Sequence, residues 1–134
     1  TKDFAGSIAS FLDLDGTAIA VQKETTSDIL MSDYVSTGSI TATISANEKV
    51  TTCFTQLENG EVDAVVVDST VADGYLASNP DKFVKVFQDE SEPEQFGVAM
   101  ALDNTALQTA INEAIAQLTS EGFFEANVAY WFGK

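Results

Sequence analysis

Two short polar stretches, each directly behind an apolar run, hold the side chains best suited to gripping a small charged molecule. The first is Gln22-Lys23-Glu24-Thr25-Thr26-Ser27, behind Ala18-Ile19-Ala20-Val21. The second is Asp68-Ser69-Thr70, behind the run Val62–Val67. Such apolar runs read as strands buried on both faces, and Thr25, Thr26 and Ser27 supply hydroxyls of the kind that begin helices. Thr25 and Asp28 also have the Ser/Thr-x-x-Asp/Glu spacing of a helix start. A strand that turns into a helix leaves backbone N–H groups unpaired with the positive end of the helix dipole behind them, which suits an anion. Asp68 suits a cation. If the two strand ends are neighbours, the ligand that satisfies both is a zwitterion. Polar strand ends also serve merely to cap the next helix, and that plainer reading covers the same residues.

Little else in the chain offers catalysis. There is no histidine, which removes the commonest general base and the commonest metal ligand. The single cysteine, Cys53, cannot form an internal disulfide and reads as a small core residue on a helix face. Asp89-Glu90-Ser91-Glu92 is acidic but lacks the spacing of a calcium loop, and reads as solvated. The aromatics Phe123, Phe124, Tyr130, Trp131 and Phe132 read as a packed helix rather than a ligand cage. No catalytic residue, metal site or cofactor is expected.

The elements that must position the polar stretches follow from periodicity. A chain of 134 residues, 45% hydrophobic, fits one domain with a sizeable core. The net charge of −15 argues against nucleic acid and against an anionic membrane surface, and otherwise reads as solubility. No apolar run approaches the roughly 20 residues of a membrane span. Residues 1–12 read as a lead-in with a helical turn near Ser7–Phe11, and Asp13-Leu14-Asp15-Gly16 as a turn. Strands are expected over Thr17–Gln22, Ser39–Ile44, Val62–Val67, Lys82–Phe87 and Gln95–Ala101. Helices are expected over Thr26–Val35, from a capping box at Ser45–Glu48 to a stop at Gly60, and from Asp68 to Asn79 before Pro80. Two more follow: a stripe of Leu107, Ala110, Ile111, Ala114, Ile115 and Leu118 capped by Asp103 or Asn104, then Phe123–Phe132 after Gly122. Gln88–Glu94 is expected to be exposed and extended. Alternating strands and helices predict an α/β fold with a mainly parallel sheet flanked by helices, binding its ligand at the carboxyl ends of the strands.

The stretch DLDGTAIAVQKETTSD resembles the opening of lobe two in the polar amino-acid family of periplasmic solute-binding proteins. The likeness continues through LENGEVDAVVVDSTVADGYLASNPD and FGVAMALDNTALQTAINEAIAQLTSEGFFEANVAYWFG, covering about Asp13 to Lys134. The resemblance implies one lobe of a type II clamshell, a solute-binding component that closes on an amino acid and delivers it to the membrane permease of an ABC transporter. Residues 1–95 would form lobe two, and 96–134 the return strand and C-terminal helices belonging to lobe one. Thr25 and Thr26, with Ser27, would meet the ligand carboxylate, Gln22 would lie against the ligand, and Asp68 would hold the ammonium. An extracellular or periplasmic location, anchored as a lipoprotein in the parent, is implied too. Two departures stand out: Glu24 occupies a position where the family usually has glycine, and the chain has no arginine to pair with the ligand carboxylate. With lobe one absent from these residues, the Leu107–Leu118 stripe predicts self-association, a homodimer formed by swapping the tail.

Two rival readings share some of these residues. Asp13-Leu14-Asp15-Gly16-Thr17 resembles the nucleophile motif of haloacid-dehalogenase-type phosphatases, in which Asp13 and Asp15 would act with Mg²⁺. A turn ahead of the first strand explains it better, since the apolar run follows the motif. The other rival shares the fold: a ligand-sensing domain of a receptor or sensor kinase.

Overall fold

The computed structural model describes residues 6–91 and 94–132, so the lead-in before Gly6, Glu92-Pro93 of the acidic connector and the terminal Gly133-Lys134 lie outside the described residues. The chain divides into two compact units, 1–89 and 90–134.

The first unit is a three-stranded parallel sheet with helices on both faces. A short 3-10 helix, Phe11–Leu14, leads into β1 (Ala18–Gln22), α1 (Thr26–Ser36), β2 (Thr43–Asn47), α2 (Val50–Glu58), β3 (Ala64–Val65) and α3 (Ser69–Ser78). The strand order is β2-β1-β3, all parallel. Right-handed crossovers force this layout: stepping from β1 to β2 on one side and back past β1 to β3 puts the connecting helices on opposite faces. The core shows that division. Ile19 and Val21 point one way, against Met31, Tyr34 and Val35 of α1. Ala20 points the other way, against Cys53, Phe54 and Leu57 of α2 and Val71, Tyr75 and Leu76 of α3. Ile19, Val21, Met31 and Cys53 are the largest fully buried side chains. Each large aliphatic among them contributes about 1.5–3 kcal/mol by burial.

Several expected elements differ. The second strand starts four residues late, because Ser39 and Ile40 donate their N–H groups to Tyr34 O and finish α1 behind Gly38 at φ 73°. The Ser45–Glu48 capping box does not form. Ser45 and Asn47 lie in β2, and Asn47 Nδ2 donates to Gln56 Oε1 at 2.8 Å, so α2 begins at Val50 behind Lys49. Lys82 ends a turn, and residues 83–87 pair with no strand among the described residues. Phe83 is buried against the Phe54 ring and Lys85 pairs with Asp73 at 2.6 Å, while Val84 and Val86 stay exposed. Their alternation records an extended backbone packed by side chains, not a ladder. Gln95–Ala101 is also no strand, and the expected turn near Ser7–Phe11 forms a few residues later.

The second unit carries two helices, α4 (Thr105–Ser120) and α5 (Phe123–Phe132), joined through Gly122 at φ 69°. Asn104 caps α4, accepting from Leu107 N at 3.2 Å.

Candidate ligand site at the carboxyl edge of the sheet

The β2-β1-β3 order means that the chain leaves β1 in one direction first and returns on its other side later, so the switch in strand order falls between β1 and β3. The β1–β3 register pairs Ile19 with Ala64 and Ala20 with Val65, and Val66 N donates to Ala20 O at 3.1 Å. Counting on at the same register sets Asp68 level with Lys23. Both predicted polar stretches therefore leave the sheet at adjacent strand ends, and each opens a helix: Thr25 is the N-cap of α1 and Asp68 the N-cap of α3.

Within the first stretch the groups divide into committed and open. Thr25 Oγ1 accepts the capping bond from Asp28 N at 3.3 Å and donates to Gln22 O at 2.7 Å, so its proton is spent on Gln22. The Thr25 hydroxyl is therefore not free to donate to an anion at this corner. Asp28 closes the turn from the other side, its Oδ2 accepting from Glu24 N at 2.9 Å and its Oδ1 from Ser32 Oγ at 3.3 Å. That leaves the N–H groups of Thr26 and Ser27 with no acceptor among the described residues, at the first turn of an 11-residue helix. Ser27 is buried at 9% exposure and Thr26 is exposed. Gln22 is half-buried, and its Nε2 makes a long 3.4 Å contact to Glu48 O.

The turn itself is strained. Glu24 adopts φ 61°, in the left-handed region that favours glycine and costs other residues about 1–2 kcal/mol. Its carboxylate stands 4.0 Å from Lys23 Nζ, which is closer to Glu48, at 3.1 Å. Asp28 and Glu48 were not among the expected site residues. The Thr25-to-Asp28 spacing was the only sequence signal for the former; Glu48 comes from another strand end and left none.

In the second stretch, Asp68 is exposed and its carboxylate caps nothing in α3. A carboxylate that caps nothing, at the strand end next to the one that leads into the open N–H donors of α1, can take an ammonium while the donors take a carboxylate.

The DxDGT carboxylates are occupied. Asp13 Oδ2 accepts from Ala9 N at 2.8 Å and Ser10 N at 3.0 Å, and these amide bonds hold its carboxyl below the usual range. Asp15 Oδ1 accepts from Thr41 N at 2.6 Å. Both serve the backbone ahead of β1, as the carboxylates of a structural turn do.

Similarity to known proteins follows this geometry. No known family profile matches the chain. It is 28% identical over 130 residues to the ABC transporter arginine-binding protein 1 of Escherichia coli K12, covering 92% of this chain and 50% of that protein. The solved structure of an ancestral arginine-binding protein bound to arginine superposes with a TM-score of 0.75 at 29% identity, over 95% of this chain and 55% of that one. Domain 2 of the arginine-binding protein from T. maritima, solved alone, matches at 39% identity and a TM-score of 0.53, over 60% of this chain and 82% of that domain. The chain thus spans about half the length of the full-length relatives it matches. The parallel α/β sheet, the placement of the two polar stretches and these matches agree: the chain belongs to the family of amino-acid solute-binding proteins of ABC transporters, with the fold of a type II periplasmic binding protein.

Proposed function

We propose that this chain binds one half of an α-amino acid at the junction of β1 and β3. The ligand carboxylate is held by the Thr26 and Ser27 N–H groups at the start of α1, and its ammonium by Asp68. Gln22 and the backbone of Thr25 complete the wall. One observation carries this reading: the switch between β1 and β3 brings unsatisfied donors and an uncapped carboxylate to one rim, where only a zwitterion satisfies both. The arginine named for the relatives is an α-amino acid of this kind. The role is binding, not catalysis, and the chain acts as part of a transporter's solute-binding component, handing its ligand to a membrane permease from an extracytoplasmic, lipid-anchored position. The remaining half of the ligand is gripped by a second lobe, to which residues 96–134 belong.

Isothermal titration of the twenty amino acids tests the site. At least one binds, and Asp68→Ala weakens it by about thirtyfold or more, the scale of an unpaired ammonium. Equal affinity in that variant removes Asp68 from the site.

A further inference from the structure

Lys23 has a carboxylate level with it on either side. It follows β1, the central strand, whose register pairs Gln22 with Asn47 of β2. Lys23 N donates to Asn47 O at 2.8 Å, so Glu48 is its neighbour on that side. The β1–β3 register, counted on, sets Asp68 level with it on the other. Neighbouring strands lie about 4.8 Å apart, and the flexible four-carbon stem of a lysine carries its ammonium toward either one. In the structure it turns to β2. Lys23 Nζ stands 3.1 Å from Glu48 Oε1 and 4.0 Å from Glu24 Oε1, while the Asp68 carboxylate caps nothing in α3. An ammonium is also what the proposed ligand brings to Asp68. Lys23 is therefore a built-in competitor for that acid, held on the far side of its own strand.

We propose that Glu48 is a positioning residue: it keeps Lys23 on the β2 side of the rim and so leaves Asp68 open to the ligand ammonium. This rests on the binding reading given above. A lysine engaged by carboxylates on that side does not serve the ligand carboxylate, which goes to the N–H groups of α1. The pairing is an exposed one, with the Lys23 side chain 48% accessible and that of Glu48 82%, and exposed ion pairs are weak. The position of the lysine therefore responds to the loss of one acid. With Glu48 neutral, Glu24 offers only the longer contact, and Asp68 draws the ammonium across the strand. A ligand must then displace Lys23 before it can enter. The same exposure means that Lys23 and Glu48 can both be changed without disturbing the core.

Coupling the whole chain with a water-soluble carbodiimide reads the pairing directly, since it joins a lysine only to a carboxylate within contact. Peptide mapping of the unmodified chain should find Lys23 joined to Glu48. In Glu48→Gln it should find Lys23 joined to Asp68. A Lys23–Asp68 link already in the unmodified chain, or none in the variant, overturns the proposal. This readout needs no ligand, so it decides the role of Glu48 even if no amino acid binds and the binding reading falls. With the amino acid that binds best, isothermal titration should show Glu48→Gln weakening affinity about two- to fivefold, the scale of an exposed ion pair. Adding Lys23→Met to that variant should restore it, which a merely structural role for Glu48 would not allow. Affinity that stays low in the double variant, or that falls in Lys23→Met alone, makes Lys23 a ligand contact rather than a competitor and overturns the proposal equally.

Discussion

The two edges of the small parallel sheet use similar residues to opposite ends. At the amino edge, carboxylates are spent on the backbone: Asp13 on Ala9 and Ser10, Asp15 on Thr41, and Asp63 on Ala18 N at 2.8 Å. Thr17 likewise gives its hydroxyl proton to Leu14 O. At the carboxyl edge, Asp68 caps nothing and the amides of Thr26 and Ser27 meet no acceptor among the described residues. An aspartate at the start of a strand seals it, and an aspartate just past the end of one is left for something else. The first N–H groups of a helix have no partner within it, and at this edge no side chain among the described residues takes their place, which leaves room for the proposed ligand.

This contrast predicts a division of labour. Substitution at the carboxyl edge should cost affinity and spare stability, and substitution at the amino edge the reverse. Asp15→Ala is the sharpest amino-edge case, since it strips the acceptor from Thr41 N. It should lower stability by about 1 kcal/mol, or about 3–5 °C in Tm, with amino-acid affinity unchanged. An affinity loss comparable to that of Asp68→Ala would dissolve the distinction between the edges.

Glu24 tests the carboxyl edge from its strained side. Glycine adopts φ 61° without a Cβ penalty but loses more backbone entropy on folding, so Glu24→Gly should gain about 0.5 kcal/mol net. Thermal melts measure it. A loss of stability would show that the Glu24 side chain, through Lys23, holds the turn more firmly than its backbone strains it.

What the sequence made legible follows the same logic. Local signals survived intact: the apolar run of β1, the Thr25 cap, the Asn104 cap and the 3.6-residue stripe of α4 each depend on residues within a turn or two. Pairing was not legible. Lys82–Phe87 alternates as a strand does, but alternation describes an extended backbone and cannot supply a neighbour to bond. The capping box at Ser45–Glu48 failed for a related reason: the β1 ladder claims Asn47 opposite Gln22, which outweighs a local cap. At the site, the polar stretches could be recognised, but their adjacency rests on the β2-β1-β3 order, which no window of residues contains. Nor could spacing show that Thr25 spends its proton on Gln22 O and leaves the open donors to its two successors.

The smallest expected effect isolates the amino edge by pH. The amides of Ala9 and Ser10 hold the folded Asp13 carboxyl below its ordinary 3.8. A lowered acid stabilises the fold above its unfolded value and loses that contribution as pH falls through the folded one. Asp13→Asn removes the charge whatever the pH. The Tm gap between the unmodified chain and Asp13→Asn should therefore stay level at neutral pH and narrow once pH drops below about 4. Asp13 is exposed, so the gap is small and best read as a difference between matched melts. A gap that persists undiminished to about pH 2 would mean the Asp13 side chain acts through shape rather than charge, and that the amino edge is sealed by packing instead of by carboxylates.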